Sequence, residues 1–432
     1  MVKDSFDIES AFRPLNVLSK ILGLAHFSGH GNTVRRKIKH EQNCESEFAN
    51  VVWRIVVILT VIAGFVTRMI TMPASSHFSI FDTVVFILLM PVGYLGAVVA
   101  LIAGLTFNRN KFPEFVLKVS IIDKDLFGSK RVDVYKKQYK SCIKQLKALP
   151  LIFFPFYCYV TYVFSKDLNC MQGHLHLSNF IKEVVILQFI NVVWMITERL
   201  KYLNKEVANS LEFRTEVRSN APLFVSASCI SNTESALHTS PLEFGNKNAA
   251  ILLCDFPVFT RRRSSFSEVD RLIRVRKLYD MIYRVSKLVN GMYGIHIVLD
   301  LIYNFINVVV SVYGIIGATT GSIKINPKLP VFQYIVVYIC WIVVCLAKVV
   351  AMSVSCHKAS AQVEVCCQEV QKLLISDALR QDTRRQLKLL LQQVSNNRVV
   401  FTACEFFTIN MSFLFTFVSS ATTYIVVLVQ VK

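Results

Sequence analysis

Thr423-Tyr424-Ile425-Val426-Val427-Leu428-Val429-Gln430 closes the last hydrophobic stretch of this chain, residues 400–432. From Phe406 to Val431 the stretch carries no charge, yet Ser and Thr are scattered through it. That is the composition of a membrane helix with one wet face, and wet helices line pores.

The rest of the chain agrees with a membrane setting. Of 432 residues, 53% are hydrophobic and 18% charged, whereas soluble domains carry about 25% charged residues. Seven runs approach the roughly 20 apolar residues that cross a bilayer: 51–72, 80–107, 148–164, 180–196, 290–317, 330–354 and 401–431. The third and fourth are the shortest and the most polar. Most Lys and Arg residues lie before the first run, between the second and third, between the fourth and fifth, and between the sixth and seventh. The alternate loops hold only Lys166, Lys324 and Lys328, and the tail holds Lys432. By the positive-inside rule this predicts an all-α polytopic protein of seven transmembrane helices, N-terminus cytoplasmic and C-terminus extracellular. The net charge of +19 is then a cytoplasmic bias facing membrane lipid, and no nucleic-acid partner is needed.

The expected organisation is a cytoplasmic segment 1–50, spans one to four in 51–200 with a cytoplasmic loop 108–147, and a cytoplasmic loop 201–289. Spans five and six follow in 290–354, anchor helices in 355–399 and the seventh span in 400–432. No cleavable leader is visible, since 15–27 is interrupted by Lys20. Residues 209–267 read as the least ordered piece, with Arg261-Arg262-Arg263-Ser264-Ser265 either a basic cluster or a kinase site. Leu272, Val275, Leu278, Ile282, Val285 and Val289 recur at helical spacing, so 271–289 is an amphipathic helix entering the fifth span. A similar stem, 359–394, precedes the seventh. Such stripes must pack on one another or on neighbouring subunits, forming a cytosolic platform.

Polar groups at membrane depth are candidates for function. The fifth span offers His296, Asp300, Tyr303, Asn304 and Asn307 on one face; the fourth Gln188, Asn191 and Trp194; the third Tyr157, Tyr159, Thr161 and Tyr162; the sixth Gln333, Tyr334, Tyr338 and Trp341. Together they predict a cavity open to the outside, bounded by Tyr159, Tyr162, Gln188, Asn191, Trp194, Asp300, Tyr303, Asn304, Asn307, Tyr334, Tyr338 and Trp341. The competing explanation is hydrogen-bonded glue between helices. Two Trp faces with amides suit a sugar. Arg54, Arg68, Lys182, Arg199 and Lys348 read as anchors that snorkel to the interface. In the seventh span Thr416, Ser420, Thr423, Val427 and Gln430 form a stripe suited to a gated pore, which requires several copies of the chain. Cys366-Cys367 lacks zinc spacing, so neither a metal nor any other cofactor is expected. No nucleophile, base and oxyanion set suggests an enzyme.

The closing Thr-Tyr, five hydrophobic residues and Gln430 resemble the signature of the insect gustatory receptors, with Val431 where that family has Phe. Phe406-Phe407-Thr408-Ile409-Asn410 and Ala421-Thr422 are also similar, although Asp is commoner at the position of Asn410. The resemblance implies a plasma-membrane, homotetrameric, ligand-gated cation channel passing Na, K and Ca, one pocket per subunit, and a central pore of seventh helices with Gln430 and Val431 near its constriction. It also implies a small-molecule tastant, a sugar such as fructose or a bitter compound, and co-assembly with other gustatory receptors. The rivals are a G-protein-coupled receptor, whose N-terminus would lie outside, and a transporter using His296 and Asp300 as a proton relay.

Overall fold

The structure, a computed structural model, describes residues 7–24, 40–71, 89–164, 171–219, 268–321, 330–375 and 379–430. They form ten α-helices and one short hairpin. Helix α1 (Ile8–Ile21) starts where the Asp7 carboxylate accepts from the Ser10 amide at 2.9 Å, satisfying one of the amides a helix leaves open. α2 (His40–Thr71) and α3 (Met90–Leu105) follow. α3 is rich in Gly and Ala on its buried face, namely Gly93, Gly96, Ala97, Ala100 and Gly104, and small residues let membrane helices approach closely.

α4 (Phe107–Phe127) and α5 (Arg131–Phe164) are joined by a 3-10 turn, Gly128–Lys130. Gly128 has φ +51, a backbone state that costs other residues more. Three long helices come next: α6 (Met171–Ser219), α7 (Glu268–Thr319) and α8 (Val331–Ile375). At 1.5 Å per residue each is about 65 to 80 Å long, more than twice a bilayer's hydrocarbon thickness. They therefore carry the bundle out of the membrane as a stem.

The stem core is continuous with the membrane core. Tyr279, Ile282 and Val285 of α7 and Val363, Cys366 and Val370 of α8 are buried with Leu387, Leu390 and Val394 of α9 (Gln381–Asn396). The chain then makes an antiparallel hairpin, β1 (Thr402–Ala403) with β2 (Phe407–Thr408), pairing Thr402 with Thr408 and Ala403 with Phe407. Its turn holds Cys404 and Glu405 at φ 50 and 63. Asn290 of α7 anchors it, donating to the Val400 carbonyl at 2.9 Å and accepting from the Thr402 amide at 3.4 Å. Gly294 sits beneath it, where a Cβ would meet the Cys404 amide nitrogen at 3.0 Å.

α10 (Met411–Gln430) follows, capped by Asn410, whose side-chain oxygen accepts from the Phe413 amide at 2.9 Å. Asn and Asp both supply that oxygen, so Asn410 performs the local duty of an Asp at this position.

All seven apolar runs lie on helices: α2, α3, α5, α6, α7, α8 and α10. Among the described residues six helical spans are long and apolar enough to cross a membrane, and α3 is a shorter apolar helix; residues 80–88 of the second run lie outside the description. Four boundaries differ from expectation. The helix that holds the fourth run starts at Met171, nine residues before 180. The seventh starts at Met411, because 401–410 form the hairpin. The stem 359–394 is two helices, α8 and α9. The stretch 209–267 continues α6 as far as Ser219, and its remainder, with 261–265, lies outside the described residues.

Candidate functional site

α6 and α8 run in the same direction: Glu183 meets Lys348 near one end, and Asn204 donates to the Gln362 carbonyl at 2.8 Å near the other. Position along α6 therefore gives depth in the bundle.

The layer farthest from the stem is aromatic. Val160 and Val163 of α5 and Tyr334 and Val337 of α8 are buried, with Phe156, Tyr159, Tyr338 and Trp341 packed on them. Phe156 meets Trp341 edge to face at 4.9 Å, and Tyr157 lies 6.4 Å from the same indole. His176 of α6 stacks on Tyr157 at 4.5 Å and lies 2.9 Å from the Thr161 hydroxyl. Gly314 of α7 makes room for Tyr338: a Cβ there would stand 2.7 Å from Cζ of the ring. Tyr162 points away, 60% exposed.

Beneath the aromatics lies an ionic layer. Lys348 is 2.5 Å from Glu183 and 3.2 Å from Asp300. Asp300 also accepts from the Asn304 amide at 2.8 Å. Lys182 is buried, its ammonium 3.1 Å from the centroid of the Tyr303 ring, beside Gly93 and Gly96 of α3. Asn307 is buried farther along the same helix, accepting from the Ser311 hydroxyl at 3.5 Å. The structure thus corrects the reading of Lys182 and Lys348 as interfacial anchors. Because α6 begins at Met171, Lys182 is about 16 Å into the helix, and both cations are enclosed by ionic and aromatic groups.

The next turns of α6 serve packing. Gln188 donates to the Ser19 hydroxyl of α1. The Asn191 amide donates to the Gln145 side chain at 2.6 Å, and its oxygen faces the Cys142 thiol at 3.4 Å. Trp194 is partly buried two turns beyond Leu187, roughly 27 Å of helix from His176, which is level with Trp341. Gln188, Asn191 and Trp194 therefore do not join the aromatic layer, and the pair of Trp faces does not form. Arg199 is also no anchor: it forks onto Asp123 of α4 at 2.9 and 2.6 Å, with the Tyr135 hydroxyl donating to the same carboxylate at 2.8 Å. Burial and the Asp123 charge push the Tyr135 phenol well above its usual range. Arg54 donates to the Gly104 carbonyl at 3.1 Å, tying α2 to α3.

α10 rests on α7 and α8 through Phe417 and Ala421, with Phe305 edge-on to both Phe417 and Tyr424 at 5.7 and 5.6 Å. Thr416, Thr423, Val427 and Gln430 are exposed and Ser420 is partly so. The stripe is rotated by about one residue, 100° at 3.6 residues per turn, from the packed face. Val431 lies outside the described residues.

The sequence missed Lys182, Glu183 and Lys348 as a cluster. A signal existed: Lys182-Glu183 adjoin inside an apolar run, and adjacent opposite charges at membrane depth demand partners.

Residues 12–432 match the profile of a family described as "7tm Chemosensory receptor". No curated protein matches the chain. Among solved structures it is similar to the insect olfactory receptor OR5 from Machilis hrabei, with TM-score 0.63 and 14% identity over 98% of each chain. It is also similar to the same receptor in complex with eugenol, with TM-score 0.57 and 12% identity over 98% of this chain and 99% of the other.

Proposed function

The chain belongs to the 7tm chemosensory receptor family, and on that premise we propose that it is a gustatory receptor acting as a ligand-gated, nonselective cation channel. Four copies surround a pore lined by α10, with the N-terminus and the stem in the cytosol and the pocket opening outward. The observation that carries this reading is the state of α10. It touches its own subunit along one narrow face, while a stripe of hydroxyls and Gln430 stays exposed. Thr416 and Thr423 donate back to their own helix, and a polar stripe kept off the packed face is better placed against water or neighbouring copies than lipid, both of which a symmetric ring supplies. A ring of exposed Val427 narrows such a path by dewetting.

Ligand occupies the aromatic layer above the Asp300–Lys348 pair, among Tyr159, Tyr334, Tyr338, Trp341, Tyr303 and Asn304. α7 carries Asp300 and also the Phe305 ring on which α10 leans. Ligand that favours one packing of α7 shifts the pore by its differential affinity for the two states. A sugar such as fructose is the first candidate, supported by the Asn304 amide and by one Trp among several Tyr. The aromatic richness of the layer equally suits a bitter or other ring-bearing oxygenated molecule, and the solved neighbour was determined in complex with eugenol.

The test is to express the chain alone in a heterologous cell and record membrane current under sugars, then bitter compounds. Ligand-evoked cation current supports the proposal. Surface protein whose termini are both inverted would defeat it in favour of a G-protein-coupled receptor, and uptake coupled to pH without channel openings would favour a transporter.

A further inference from the structure

We infer that Lys182 is the group that grips the ligand, donating to an oxygen acceptor on an uncharged molecule; the inference rests on the pocket proposed above and specifies its chemistry. Lys182 is 96% buried, its relative exposure being 4%. Its ammonium has no hydrogen-bond partner among the described residues. It rests on the Tyr303 ring at 3.1 Å, an attraction that leaves all three N–H donors unused. A buried cation with idle donors is costly, and an arrangement that leaves them so is open to an acceptor from outside the chain.

The neighbours explain why the acceptor is not supplied internally. Both nearby carboxylates, Glu183 and Asp300, are engaged by Lys348 at 2.5 and 3.2 Å. One more donor flanks the place with no hydrogen-bond partner among the described residues: the Tyr157 hydroxyl of α5. On the α3 side the wall is backbone: a Cβ on Gly93 would stand 3.7 Å from the Lys182 ammonium. Tyr157 lies within electrostatic range of Glu183, Tyr303 and Lys348 and belongs to the aromatic layer. Two donors, from α5 and α6, thus meet at the boundary between the aromatic and ionic layers.

Charge fixes the class of ligand. Lys182 and Lys348 balance Glu183 and Asp300, so the layer is already neutral. A carboxylate or an ammonium ligand would leave a net buried charge, whereas hydroxyl, ether or carbonyl oxygens accept from Lys182 without disturbing the balance.

The experiment compares the whole chain with Lys182→Met and Lys182→Arg in voltage-clamped cells, using D-glucose, D-fructose, eugenol, gluconate and glucosamine as probes. Uncharged probes are expected to open the channel, and gluconate and glucosamine to be silent. Lys182→Met is expected to raise the half-maximal concentration about tenfold or more, the size of one lost charged hydrogen bond. Lys182→Arg should recover part of the sensitivity. Because Lys182→Met leaves Glu183 and Asp300 one cation short, some loss of stability is expected, and the dose response is read from channels counted at the surface, with Lys182→Arg keeping the charge. An unchanged dose response or activation by the charged probes alone overturns the inference.

A second arm needs no agonist. In Lys182→Cys, position 182 is expected to react with a small uncharged methanethiosulfonate applied outside, above the labelling of the parent, read by mass spectrometry. A sealed position overturns the inference. Labelling with no current from any probe supports access to Lys182 and counts against the channel reading instead.

Discussion

Lys348 lies 2.5 Å from Glu183 and so locks α8 to α6, while its 3.2 Å contact with Asp300 brings in α7. One ammonium thus joins the helices that flank the aromatic layer and the helix on which α10 rests. Removing it leaves two carboxylates in a buried setting. Lys348→Met should therefore destabilise the chain by about 3–5 kcal/mol, the cost of orphaning a buried charge. The double variant Glu183→Gln, Lys348→Met, which leaves Lys182 and Asp300 in balance, should recover part of that loss. Thermal unfolding of detergent-solubilised protein followed by size-exclusion chromatography measures both.

Gly314 is the place where α7 yields to the Tyr338 ring. A methyl group there would stand 2.7 Å from the ring, closer than real Cβ contacts allow, so Gly314→Ala must displace Tyr338. The expected result is a shifted ligand dose response with unchanged single-channel conductance. A Gly321→Ala control, where nothing lies within 4 Å of the added Cβ but φ is +71, should affect the turn alone.

The pore stripe and the aromatic layer separate on different readouts. Gln430→Ala should alter conductance or leak with little change in half-maximal ligand concentration. Trp341→Ala should raise that concentration, since it removes the edge-to-face partner of Phe156, with conductance unaltered. Single-channel recording of both variants decides it. Altered surface expression as the only effect of either would contradict the division of roles.

Thiol chemistry reports the stem. Burial pushes Cys366 up to about 12, with Cys367 and Glu369 adding to the effect. The reactive species is the thiolate, so raising pH toward that value increases reactivity and lowering it suppresses it. At neutral pH Cys366 should resist iodoacetamide in the folded chain. Cys404, exposed in the hairpin turn and raised by slight burial and by Glu405, should be alkylated before Cys366. Peptide mapping after timed labelling at pH 7 and pH 9 gives the order and its slope with pH.

What could be read in the sequence was what periodicity and length control. Seven apolar runs, the amphipathic approach to the fifth span and the hydroxyl stripe of 416–430 are local patterns, and local patterns survive without coordinates. The partners of Gln188 were not legible, because Ser19 stands 169 residues away. Lys182 was misplaced for a different reason. Gln172, His174 and His176 break the apolar run that continues back to Met171, so the span looked shorter than the helix is, and a residue in the middle of the bundle passed for one at its rim. The same error of depth paired Trp194 with Trp341. Helix ends set depth, and composition places them poorly.

On the function proposed above, the chain alone forms a pore opened by a ligand. Purified chain reconstituted in a planar bilayer, recorded at constant voltage while an uncharged oxygen-bearing ligand such as fructose or eugenol is added to the side facing the pocket, tests it directly. The expected result is discrete unitary cation steps whose open probability rises with ligand and whose amplitude does not. A current without unitary steps that scales with the ligand gradient, or no current from protein shown to bind the ligand, would contradict it.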